Sequence, residues 1–242
     1  MRTFRQLRPC IAIGKVDCRD TGQIKHWAAR QGTYMHRSIR IAVLSLLIVY
    51  PLISQVKYLE KDQTLLGFSL GYAHIEQFDA QSMEIGLSQK GNVAVSVSYG
   101  QSNPGHLSIL GVGLDGGLIK PTAESPLGLS LQGGVLRAWV PSTKPLRSAG
   151  SVFVGLESYL RGSDEDFNVI PFFQITRSYV FSRVPDNAES RSSTGFTLGI
   201  DLLLFRLSST GATMGAAFTT AEGEAGYVVS MSLLFLGRRG PS

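Results

Sequence analysis

Few side chains in this sequence have the types and spacing that could do chemistry. Gly67-Phe68-Ser69-Leu70-Gly71 matches G-x-S-x-G, and Asp79 and His106 follow in the order a serine hydrolase needs. That chemistry requires the serine on a sharp strand-to-helix elbow. Ser69 instead lies within an evenly alternating segment, which predicts a small side chain in the wall of a sheet. His74 and His106 are the histidines that follow residue 54, and each falls at the end of a segment. With Glu76 or Asp79 to orient one of them, they could supply a general base at a rim. Two solvated rim histidines are the plainer expectation, because spacing brings no activating partner to either. Asp164-Glu165-Asp166 with Asn168 opens like a calcium loop but lacks the downstream Gly and Glu, so an acidic turn is expected. There is no phosphate loop, dinucleotide fingerprint or zinc-protease motif, so no cofactor and no metal are expected.

The charge balance narrows the class. The first 54 residues hold nine Lys/Arg against two Asp/Glu, whereas the remaining 188 hold fourteen against sixteen. The basic character belongs to the N-terminus, which argues against a nucleic-acid partner for the body. Cys10 and Cys18 also lie in the first segment, eight apart and without histidines at metal-ligand spacing. The body therefore offers no disulfide, thiolate zinc site or thiol nucleophile.

Residues 35–54, MHRSIRIAVLSLLIVYPLIS, read as a signal peptide. Arg37 and Arg40 form the basic region, Ile41 to Ile53 the apolar core, and Ser54 a permissive cleavage position. The core is too short to cross a bilayer as a helix. Residues 1–34 then read as an over-extended leader, with translation starting at Met35. A short segment, 55–63, precedes the body at 64–236, and 237–242 form a tail.

From residue 64 the chain alternates with period two, the spacing that sends successive side chains to opposite faces of a strand. Leu66, Phe68, Leu70 and Tyr72 oppose Gly67, Ser69, Gly71 and Ala73. Ten such segments are expected, near 64–74, 82–89, 92–101, 106–114, 126–139, 150–161, 167–182, 194–206, 211–220 and 225–236. Pro171 suggests a bulge or split in the seventh, so eight strands are also possible. The second face decides the class. A soluble sandwich would place Lys, Glu, Arg and Asp there; this chain places Gly, Ser, Ala and Thr. Small residues suit the inside of a narrow closed barrel whose apolar face meets lipid. The expected fold is all-β: a closed, antiparallel, up-and-down transmembrane barrel. Tyr72, Tyr99, Trp139, Tyr159, Tyr179, Phe181, Tyr227 and Phe235 fall near segment ends, as interfacial girdles do.

A charge at mid-depth on the lipid face costs roughly 2–4 kcal/mol for Arg or Lys, so mid-strand charges belong in the lumen. Glu84, Glu157 and Asp201 are the acidic candidates, with Arg137, Arg177 and Arg206 as partners. They would line a polar pore or pair into a plug; the narrow interior favours the plug.

The signal, the small-residue face and the terminal strand together resemble the small bacterial outer-membrane β-barrel proteins of the OmpA/OmpX-like class, over about residues 60–236. In that class the last strand is an assembly signal of alternating apolar residues ending on an aromatic. Tyr227, Val229, Met231, Leu233 and Phe235 fill those places, although LGRRGPS follows them here. The resemblance implies a Gram-negative outer-membrane location and insertion by the barrel-assembly machinery. Outer-membrane lipid would be the surrounding partner, and a monomer is favoured. A structural or narrow-pore, porin-like role is expected. A rim hydrolase and a soluble, exported lipocalin-like barrel are the alternatives.

Overall fold

The computed structural model describes residues 64–75, 78–89, 92–103, 107–122, 124–139, 148–162, 167–184, 187–206, 209–221 and 223–237. The leader, both cysteines, Glu76, His106 and Asp164–Asp166 lie outside them. Within them are ten strands: β1 (Thr64–Ile75), β2 (Phe78–Gln89), β3 (Val93–Asn103), β4 (Leu107–Ile119), β5 (Leu127–Trp139), β6 (Ser148–Leu160), β7 (Asn168–Val184), β8 (Asn187–Arg206), β9 (Thr210–Ala221) and β10 (Glu224–Gly237). Each pairs antiparallel with its chain neighbour, and β1 pairs with β10 to close the barrel.

Ten strands exclude the eight-stranded count. Pro171 neither splits nor bulges β7, whose register with β8 is unbroken from Asn168↔Leu203 to Val184↔Asn187. The ladder between β6 and β7 stops at Tyr159↔Phe172, one residue short of the proline. On that side its missing N–H costs no bond. The register shifts fall elsewhere, between Gly117 and Ile119 in β4 and between Leu203 and Phe205 in β8.

Several strands outrun their expected ends. The stretch 75–81, which lies between the first two expected segments and is therefore expected as a loop, is mostly strand, since β2 starts at Phe78, and β8 starts at Asn187. Beyond the lipid, outward positions can be polar without ending a strand. Polarity therefore marks where the membrane stops, not where the ladder stops.

The barrel is apolar outside and polar inside. Leu66, Phe68, Ile85, Leu87, Leu198 and Leu233 stand exposed on the outer wall, whereas Ser69, Ser130, Glu157, Gln174 and Asp201 are buried within it. A soluble barrel has the reverse arrangement. Lipid replaces water around the belt, and the closed ladder satisfies every strand's backbone without an open edge. Towards the end where β1 begins and β10 stops, Leu65, Tyr159, Ile170, Phe172, Leu203 and Leu234 turn inward as part of one buried apolar cluster.

Tyr159 thus departs from its expected girdle position. It shares the inward parity of Glu157, and its ring covers Gly128, where a Cβ would run into the ring carbons. Nearness to a strand end does not set the face; parity does.

The β6–β7 connection is clasped by one side chain. Asn168 Oδ1 accepts the Gly162 N–H at 3.0 Å, and Nδ2 donates to the Gly162 carbonyl at 2.9 Å. Losing two part-buried bonds at about 0.5–1.5 kcal/mol each should make Asn168→Ala about 1–3 kcal/mol less stable. Urea titration of the folded barrel in lipid vesicles measures it.

Candidate functional site

Two groups of polar side chains are the candidates, one in the lumen and one on the outer rim. Glu84, Glu157 and Asp201 are 3%, 0% and 1% exposed and point inward. Alternation on β2, β6 and β8 places them there. Glu157 Oε2 accepts from Gln132 Nε2 at 3.2 Å, and Gln132 Oε1 accepts from Gln174 Nε2 at 2.7 Å. Three strands are tied across the interior by this relay. Ser69 Oγ donates to Ser232 Oγ at 2.8 Å, and Thr197 bonds Thr219 at 3.2 Å. Asp201 has room because Gly215 faces it; a Cβ there would overlap the carboxylate.

Sequence reasoning missed Asp115, Gln132 and Gln174. Asp115 was hidden by Gly116-Gly117, which reads as a turn but continues β4. The two glutamines sit at inward parity between apolar neighbours, and that parity was the available signal.

The arginines do not join the carboxylates as expected. Arg137 and Arg177 are exposed on the outer wall. Arg177 donates to Thr194 Oγ1 and Ser192 Oγ, both at 2.6 Å, with its guanidinium 5.8 Å from the Tyr179 ring centroid. Hydroxyls and an aromatic face give it an interfacial setting, where an outward cation avoids the mid-depth penalty. Arg206 pairs with Gly211 in the ladder, and its side chain lies outside the described set.

The rim group forms where β1 and β2 meet. His74 and Asp79 are direct ladder partners, and Tyr227 faces His74 from β10. Asp79 Oδ1 accepts from the Tyr72 hydroxyl and from His74 Nδ1, the latter at 2.8 Å. The His74 and Tyr227 rings are 5.2 Å apart. Gln101 Nε2 donates to Tyr99 Oη at 2.9 Å one strand further on. All these side chains point outward, just beyond the apolar belt. The hydrolase pattern at Gly67–Gly71 makes no elbow, since Ser69 is buried mid-strand.

The belt outside and the polar relay inside decide the class. The chain is a transmembrane β-barrel. No family model matches it, and no curated protein matches it in sequence. Among solved structures the barrel is similar to the N-terminal β-barrel domain of Pseudomonas aeruginosa OprF, at 11% identity over 72% of this chain and 98% of that one, with a TM-score of 0.34. It is also similar to the translocator domain of the autotransporter NalP from Neisseria meningitidis, at 9% over 85% and 97%, TM-score 0.47. A third is the outer membrane protease OmpT from Escherichia coli, at 9% over 72% and 96%, TM-score 0.36. At this identity the likeness is one of fold alone.

Proposed function

We propose that this chain is a bacterial outer-membrane protein whose barrel acts as a closed structural unit and not as an open porin. One observation carries the reading. Lumen-facing Ser130, Glu157 and Gln174 are 0% exposed, and Ser69 and Asp201 are 1% exposed, so a water-sized sphere does not reach them. Side chains fill a barrel of this size, as expected for about eight to ten strands. On this reading the lumen carboxylates and glutamines rigidify the wall. The partners are the surrounding outer-membrane lipid and the assembly machinery. That machinery would read the outward row Tyr227, Val229, Met231, Leu233 and Phe235. The barrel works as a monomer and takes no nucleic acid or cofactor.

Planar-bilayer recording on the purified barrel tests this. No unitary current steps are expected under a sustained voltage. Reproducible steps of one size would overturn the closed-lumen reading and restore the porin-like one.

The Asp79–His74 pair supports a second reading, a rim hydrolase. A carboxylate that orients an imidazole is two-thirds of an acyl-transfer triad. Tyr72 donates its hydroxyl to that same carboxylate, and the Tyr227 ring stands 5.2 Å from the imidazole. Cleavage of a lipid ester or peptide that vanishes in His74→Ala would favour this reading.

A further inference from the structure

The outer wall changes polarity within two cross-strand rows. One row, Met231, Leu70, Met83 and Tyr99, runs along ladder partners across β10, β1, β2 and β3. The next row towards the rim is Val229, Tyr72, Gln81 and Gln101. Between them lie the inward positions Ser230, Gly71, Ser82 and Gly100. These small residues floor a groove that opens between the two outward rows. It has a volume of about 490 Å3 and is lined chiefly by apolar side chains, among them Leu70, Met83, Met214 and Met231. A second hollow of about 470 Å3 adjoins it, lined by Tyr72, Asp79, Gln81, Gln101, Asn103 and Ser108. Tyr72, Gln81 and Gln101 line both.

An apolar groove that runs into a polar hollow has the form of an amphiphile. Its place on the wall, where the belt gives way to the rim, is the depth at which a lipid head group meets its chains. The charge in the hollow selects the head group. Asp79 is the one acidic or basic side chain lining it, and both of its described bonds converge on Oδ1. Asp79 thus places a carboxylate in the hollow as an anionic acceptor, and its natural complement is an ammonium. The amide groups of Gln81 and Gln101 would take the ester and phosphate oxygens of the same molecule.

We infer that this groove and hollow hold one membrane lipid, with an acyl chain between the two rows and a primary ammonium head group at Asp79. The inference rests on the membrane-spanning fold and is independent of whether the lumen conducts.

Native mass spectrometry of the whole barrel in detergent tests it, with phosphatidylethanolamine, its N-acetylated form and phosphatidylglycerol as probes. The wild-type protein should retain one phosphatidylethanolamine at least ten-fold more readily than either of the others. Asp79→Asn keeps the shape of the hollow and should erase that preference. Equal retention of the three lipids, preference for phosphatidylglycerol, or a preference that survives Asp79→Asn would each overturn the inference. The heat-dependent gel shift, read on the same samples, reports separately on the barrel. Its absence, with the protein soluble without detergent, would sink the membrane fold itself.

Discussion

Ile85→Arg should lower the unfolding free energy of the barrel in lipid by about 2–4 kcal/mol, the largest effect expected of any single outward change. Ile85 is 56% exposed and lies midway down the apolar rows of the outer wall. Its ladder partners are Phe68 and Val97, both outward and apolar. The described rim groups, Tyr72, His74, Asp79 and Gln81, begin four or more residues away along β1 and β2. A guanidinium placed there must either enter hydrocarbon or pull headgroups and water inward. Ile85→Ala, which removes contact area but adds no charge, should cost far less. Urea titration in lipid vesicles, read by tryptophan fluorescence or gel shift, separates the two. Equal stability of the arginine and alanine variants would mean that this wall does not meet lipid.

Gly134→Val should cost about 1–3 kcal/mol by overpacking, at the upper end of that range. A Cβ at 134 would stand 2.5 Å from the Val112 carbonyl oxygen and 2.7 Å from a ring carbon of Phe153. The ring can turn aside, but the carbonyl belongs to the neighbouring strand, so β4 must move. Gly133, its chain neighbour, faces outward, and a Cβ there meets a single carbonyl oxygen at 3.4 Å. Gly133→Ala should therefore be nearly silent. If both substitutions had equal effects, the inward packing of Phe153 over Gly134 would be wrong.

Those two glycines also show how far the sequence can be read. Period two and the small-residue face were enough for closure, the outward belt and a count of about ten strands with eight left open, because one-sided burial forces strict alternation. Contacts across the lumen were beyond its reach. Gly133-Gly134 looks like one feature in sequence, yet one glycine clears space for a phenylalanine from another strand and the other faces out. Arg137 and Arg177 failed for a related reason. A rule about mid-strand charges needs the membrane depth of each residue: Arg137 lies two residues from the end of β5, and Arg177 lies in β7, whose 17 residues run well past a membrane's span. The rim pair was half legible. Asp79 was a candidate partner for His74, but a loop over 75–81 would have left their separation open. The early start of β2 puts them directly opposite in the ladder.

The order of pairing along the barrel has a kinetic consequence. Nine of its ladders join strands that follow one another in the chain; the tenth, β1 with β10, joins residues 163 apart at Ser69 and Ser232. Closing a loop costs about 0.6 kcal/mol more for each doubling of its length, so this seam carries about 3 kcal/mol that the hairpins do not. Its twelve residue pairs offset that cost only once they form together. Until then the chain is an open sheet with two bare edges, and neither edge can enter hydrocarbon with its N–H and C=O groups unmet. Zipping of the seam and entry into the bilayer are therefore one event, and an agent that shields the edges of β1 and β10 sets its rate.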